Sequence, residues 1–476
     1  MTTNIICGDL EHDNIKYKFD FRNNILVLVP EKLESYPKWQ FEHIGKKEES
    51  KCINIEGTTN LGQYICFVHV KFSDIGRGIL QAFVPAYIIC KSNLISPLPK
   101  CENIEKIKIY VECLDKFYFP KRIIDNNDFF SEETAKFEVK KMKTDDFIVK
   151  KDKFSYGVSW NIPISSNINV VLDVKSYLEV NFKNLKDIDD ILEYYLKIKK
   201  FFSFINNRKY IKFNKFIASK KIKLNYDINS ESTELKEIYF EFFFVEPDEK
   251  IDLSKSINYI HLEDLNSKFT EIYNIVTEND FLTEYYPLSE SDNRYVDNDK
   301  FLKVASAFES EFDKANPNYK SSNSVEYDFV KKKILNNISL EKQKNNNEIL
   351  SSDDSLKIKS LKKINKEYSY FEKIIKNIDG TLQEKIVFCL KKYGNIIDSK
   401  KELLIKNYDI EKVKDGVLAE AFKNRRNKIS HGKGTDIFSN AEIIAYELLR
   451  LCIYCITLER CNLNTNDIKM IIEKIF

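Results

Sequence analysis

The chain has 476 residues, 43% of them hydrophobic, with 75 Lys and Arg against 73 Asp and Glu. That length implies two or three domains with full cores. The near-balanced charge excludes a global polyelectrolyte field, so any surface for nucleic acid or membrane must be local.

The first residues, MTTNIICGDLEHDN, lack an apolar run behind a basic start, and a cytoplasmic protein is the expectation. The longest near-apolar stretch, GILQAFVPAYII, is too short to span a bilayer and contains Pro85. No membrane partner is expected.

From the start to residue 285 the pattern is strand-like. ICFVHVKF (65–72), KIKIYVECL (106–114), INVVLDVKSYLEVNF (168–182) and EIYFEFFFVEP (237–247) are rich in β-branched and aromatic residues, alternating or continuously apolar. One helix interrupts them. In residues 187–205, Ile188, Ile191, Leu192, Tyr195, Ile198 and Phe202 form a single helical stripe. The expected first domain is therefore β-rich and sandwich-like, with a docked helix.

Residues 286–299 have the Pro, Ser, Asn and Asp composition of a linker. Beyond them the period becomes helical. KFLKVASAFESEFDK (300–314) follows two aspartates, Asp297 and Asp299, each placed to cap a helix. Further helical stretches fall at 325–340, 355–377, 381–396, 411–430 and 440–461, while EKQKNNNEILSSDD (341–354) reads as a polar loop. SNAE (439–442) spells a capping box at the start of the last of these helices. No internal repeat or sustained heptad run is evident. An all-α domain over 300–476 completes an α+β chain.

The ten cysteines include one C-x-x-C pair, Cys452 and Cys455, in the middle of a helical stretch. Without a second ligand pair nearby this spacing does not make a zinc site, and buried, reduced packing cysteines are expected. No metal and no cofactor are expected.

Chemistry concentrates in FKNRRNKISHG (422–432). Lys423, Arg425, Arg426, Lys428 and Lys433 supply five positive charges with no acid between them, a patch suited to the phosphates of RNA. Gly432 and Gly434 should stop the helix at His431. On an ideal helix Arg426 and His431 lie about 140° apart, so they grip one phosphate together only if the helix ends at Ser430 or two subunits share a cleft.

Arg426-Asn427-Lys428-Ile429-Ser430-His431 resembles the Arg-x4-6-His signature of HEPN domains, with a polar residue after the arginine. The arrangement is similar to that of ApeA-like HEPN proteins, in which a β-rich N-terminal domain precedes the helical HEPN domain. The early strand pair in CINIEGTTNLGQYICFVHVKF and the element Ala307-Phe308-Glu309 in the first helix fit that resemblance. It implies metal-independent RNA cleavage at a homodimeric HEPN interface, in defence against phage by abortive infection. Arg426, His431 and Asn427 would be catalytic and Glu309 supporting. Arg425, Lys423, Lys428 and Lys433 would bind RNA, either tRNA or another cellular species. The β-rich domain would sense a phage-derived trigger. Two alternatives stand beside it: a non-catalytic HEPN module that binds RNA or a protein, and the toxin of a toxin–antitoxin pair. For the dimer, the 440–461 helix is the expected flank, through Ile443, Leu448, Leu451 and Tyr454.

Overall fold

The structure is a computed structural model describing residues 5–32, 52–76, 78–90, 99–118, 145–161, 173–225, 233–245, 260–279, 281–288, 292–319, 325–352, 354–376, 381–410, 413–433 and 437–476. The chain forms two compact units, Met1–Glu278 and Asn279–Phe476. The sequence boundary at 285 thus falls inside the second unit. The first unit is an antiparallel β structure with helices and the second is helical.

The strands of the first unit are β1 (Ile6–His12), β2 (Ile15–Arg22), β3 (Ile25–Pro30), β4 (Ile53–Thr59), β5 (Tyr64–Val70), β6 (Ser73–Gly76), β7 (Ile79–Phe83), β8 (Ala86–Cys90), β9 (Ile104–Val111), β10 (Asp145–Val149), β11 (Asp152–Asn161), β12 (Asp173–Lys186), β13 (Phe213–Asn225) and β14 (Thr233–Phe244). Among the described residues all fourteen belong to one hydrogen-bonded sheet, ordered β10-β11-β12-β9-β13-β14-β8-β5-β4-β1-β2-β3-β7-β6. Residues 168–172 of the third predicted strand and 246–247 of the fourth lie outside the described residues.

A sandwich was expected, and part of this sheet is instead a closed barrel. The segment 79–90 is nearly one strand, interrupted at Val84 and Pro85. Its first half pairs with β3 and its second half with β5. It therefore joins both ends of the run β3-β2-β1-β4-β5. Proline has no N–H to give the ladder, and the break falls where the strand changes partners. The rings confirm the closure. Phe21 on β2 and Tyr87 on β8 have centroids 4.9 Å apart. In a flat sheet four strand spacings would separate them by about 19 Å. Leu10, Tyr17, Phe19, Leu26, Leu28, Ile65 and Phe67 fill the interior. Gly8 is required there, because a Cβ would lie 2.0 Å from the Thr58 carbonyl oxygen.

Beyond β8 the sheet continues as an open layer. The short α1 (Leu114–Phe117), α2 (Ile188–Ile205) and α3 (Phe269–Thr277) accompany it. Asp187 and Asp190 form a capping box that starts α2. Phe201 meets Phe117, Phe269 and Tyr273, with centroids between 5.2 and 5.8 Å, and Phe269 in turn meets Phe147 of β10 and Tyr156 of β11, which fastens the helices to the sheet.

The second unit contains α4 (Asn298–Ala315), α5 (Val325–Ser351), α6 (Ser355–Lys376), α7 (Leu382–Lys392), α8 (Gly394–Asn407), α9 (Asp415–Ser430), α10 (Asn440–Arg460) and α11 (Thr465–Ile475). Asp297 caps α4 by accepting from the Lys300 N–H at 2.8 Å. Ser439 and Glu442 form the capping box read from SNAE. The full extent of α8 and the whole of α11 escaped the sequence reading.

Helix α10 is the central post. Leu448, Leu451 and Tyr454 are buried within this chain, so they cannot be the exposed dimer flank expected of them. The described part of 286–299 is not a free tether. Asn293 accepts from the buried Arg450 at 2.6 Å, and Lys300 pairs with Asp292 at 2.5 Å. Residues 289–291 lie outside the described residues.

The expected loop at 341–354 is also corrected, since α5 runs through most of it. α5 and α6 form an antiparallel coiled-coil hairpin. Leu335, Ile338, Lys342, Asn345, Ile349 and Ser352 repeat at alternating spacings of three and four. Ile358, Leu361, Asn365, Tyr368, Glu372 and Ile375 do the same on the return helix. Midway, Asn345 donates to Asn365 at 2.9 Å, and Lys342 bonds Glu372 at 3.0 Å.

Glu311 on α4 is fully buried. It accepts from Arg460 at 2.5 Å and pairs with Lys314 at 3.2 Å, with Asn279 and Thr457 as further donors. Removing one member of such a pair strands the other charge. Glu311→Ala should therefore cost roughly 3–5 kcal/mol, read as a lowered denaturant midpoint. No disulfide joins the ten cysteines, and Cys52 alone is exposed. Burial pushes the thiols of Cys66, Cys113 and Cys389 up to about 12. At pH 8 a thiol reagent should label Cys52 in the native protein and reach these three only after denaturation, as peptide mapping would show.

Candidate nucleic-acid site at the end of α9

Helix α9 presents two faces. Leu418, Ala419, Phe422 and Arg425 are buried. Phe422 stacks on Phe301 of α4 with centroids 4.3 Å apart, and Phe301 also stacks on Phe438 at 5.5 Å. The Arg425 guanidinium lies 4.0 Å over the Phe438 ring and donates to Asn298 at 3.3 Å. This corrects the expectation that Arg425 meets RNA, because it is only 4% exposed. The signal was present in the sequence: Arg425 follows Phe422 by three residues, on the stripe begun by Leu418.

The other face carries the polar residues. Lys423 and Arg426 are half-buried, while Asn427 and Lys428 are exposed. Arg426 points one amino group at Glu309 Oε2 and the other at Asn427 Oδ1, each at 3.5 Å. Glu309 lies on α4 beside the buried Phe308, so the first helix delivers a carboxylate to the arginine. Lys423 donates to the neutral Gln383 side chain of α7 at 2.9 Å, and it has no carboxylate partner among the described residues.

The helix ends at Ser430, and His431 is its C-cap. Gly432 adopts φ +68°, and its N–H bonds the Ile429 carbonyl at 2.9 Å. The Lys433 N–H bonds the Lys428 carbonyl at 2.9 Å. These two bonds are a Schellman motif, which the glycine makes possible. It turns the chain sharply, leaving His431, Gly432 and Lys433 exposed. Among the described residues, Arg426 and His431 share no hydrogen bond, and Lys428 and Lys433 have no carboxylate partner. The structure thus gathers Arg426, Asn427 and Glu309 into one contact group. It sets His431 separately at the helix end.

No described group of His, Cys, Asp and Glu is arranged to hold a metal ion. Among the described residues no helix is long and apolar enough to cross a membrane. No family model matches the chain, and neither a curated protein nor a solved structure matches it.

The adjacent arginines should behave oppositely on truncation. Arg425→Ala should lower stability by roughly 2–5 kcal/mol, as for other large buried side chains. Arg426→Ala should stay within about 0.5 kcal/mol of the parent, as at surface positions. Paired denaturant titrations check both.

Proposed function

We propose that the second unit is an ApeA-like HEPN endoribonuclease acting without a metal, with Arg426 and His431 as its catalytic pair. The observation that carries this reading is the end of α9, where a motif of HEPN type stands at a capped, exposed helix terminus. The buried stack of Phe301, Phe422 and Phe438 holds that helix in place.

The chemistry follows from the residue types. A base takes the proton of an RNA 2′-hydroxyl, the 2′-oxygen attacks the adjacent phosphorus, and the P–O5′ bond breaks. An acid returns a proton to the departing 5′-oxygen, leaving a 2′,3′-cyclic phosphate and a 5′-hydroxyl. His431 serves as one of these proton carriers. Arg426 donates to the phosphorane oxygens with its planar fork, and Glu309 holds that fork in orientation. Asn427 orients the phosphate, while Lys423, Lys428 and Lys433 draw in the backbone.

Arg426 and His431 stand apart within one chain, sharing no hydrogen bond even though the helix ends at Ser430, and this favours a composite site, built by two subunits about a two-fold axis. The facing basic segments would leave its centre open and wet. The β unit would then answer to a phage-derived trigger, and RNA cleavage would arrest the infected cell. That same separation also supports a second reading, in which a lone chain is a non-catalytic RNA- or protein-binding module.

His431→Ala should abolish cleavage while the fold survives, and wild-type cleavage should persist in EDTA with 5′-hydroxyl ends. Parental rates in His431→Ala would refute the catalytic assignment, as would 5′-phosphate ends. Mixing Arg426→Ala chains with wild type should depress activity beyond dilution, and an active monomer by mass would remove the composite site.

A further inference from the structure

The helical unit contains a groove of about 780 Å³ between residues 318–319, just beyond α4, and one side of α7. That volume falls within the usual range of small-ligand sites, about 300–1,000 Å³. Tyr319 and Phe388 meet edge to face in its wall, with centroids 5.2 Å apart, and both rings are half-buried. Asn318 and Gln383 line it with amide groups, and Lys391 stands at its side.

Glu384 also lines the groove, and it and the nearby Asp313 are hydrogen-bonded. Glu384 bonds the Thr381 N–H at 2.9 Å in the α7 capping box, and Asp313 pairs with Lys385 at 2.6 Å. Lys391 has no carboxylate partner among the described residues. The groove therefore combines aromatic rings with amides that read hydrogen-bonding edges, and the Lys423 charge stands at its margin. This is the chemistry that receives an unpaired nucleobase with its phosphate.

One hydrogen bond also ties the groove wall to α9. Gln383, in that wall, accepts from Lys423 at 2.9 Å. Lys423 lies one helical turn before Arg426, on the same side of α9. From Lys423 to His431 the distance along the axis is about 12 Å, within the stride of a short oligonucleotide.

We propose that this groove seats an unpaired base of single-stranded RNA, packed against Tyr319 and Phe388 and read along its edge by Asn318 and Gln383. Lys423 then holds the phosphate between that base and the bond to be cut. The proposal rests on reading Arg426 and His431 as an RNA site, and it makes the substrate of that site single-stranded. A duplex keeps its bases stacked and paired, so it cannot fill the groove.

The test uses the full chain and a fluorescent 2′-O-methyl oligonucleotide, which cannot cleave because its 2′-oxygen is blocked. Anisotropy titration should show the single strand binding at least tenfold more tightly than the duplex of the same sequence. Tyr319→Leu and Gln383→Ala should each weaken single-strand binding about tenfold, while Tyr319→Phe retains it. Melting temperatures close to the parent's certify the folded state. The half-buried Gln383, replaced by Ala, supplies the result if Tyr319→Leu misfolds. Equal affinity for strand and duplex would overturn the proposal, as would unchanged binding by folded Tyr319→Leu and Gln383→Ala. Tyr319-dependent binding without RNA cleavage by the wild type would sink the ribonuclease reading and leave the base site standing. Cleavage lost in His431→Ala, with binding indifferent to Tyr319 and Gln383, would do the reverse. No binding of either strand would leave the groove to another occupant, such as a peptide, and refute the base site.

Discussion

The candidate site depends on how α9 is seated against α4. Phe301 and Phe422 stack at 4.3 Å, Phe438 closes the stack, and Arg425 lays its charge over the Phe438 ring. Burying a guanidinium is costly unless its donors are satisfied, and the ring face and Asn298 help meet that need. With that face committed inward, helical geometry leaves Arg426 one step round the axis, half-exposed and beside Glu309. The position of the candidate site is thus set by the side chains packed beneath it.

Glu311 makes a similar commitment deeper in the same unit. Its carboxylate gathers donors from α4, α10 and Asn279, so the start of the unit and its central helix meet at one buried charge. Such a centre adds little net stability over well-packed apolar groups, yet it is severe on any arrangement that leaves one partner alone.

What was legible in the sequence follows from the range of the interactions. The capping box at Ser439 and Glu442, the stripe of α2 and the helix stop at Gly432 are encoded within a few residues, and each was readable. Barrel closure was not, because it depends on which strands the two halves of 79–90 choose, and alternation alone does not name a partner. The coiled-coil hairpin was hidden because its seam carries Lys342, Asn345, Asn365 and Glu372 where apolar residues define a heptad. Of the site, Arg426, Asn427 and His431 were readable as a motif. Arg425 was misread because charge was weighed above helical phase. Tyr319, Phe388 and Gln383 were missed because nothing local joins residues 318–319 to α7.

The segment 79–90 carries a consequence for how the first unit comes together. One stretch of chain serves as the closing stave on both sides, so neither ladder can choose its alignment independently. A one-residue slip in the pairing of β7 with β3 would drag β8 along β5 and turn every inward side chain outward. Closure is therefore an all-or-none event over contacts distant in sequence. The entropy of those loops must be surrendered before the interior is sealed, which makes this unit the slower of the two to fold.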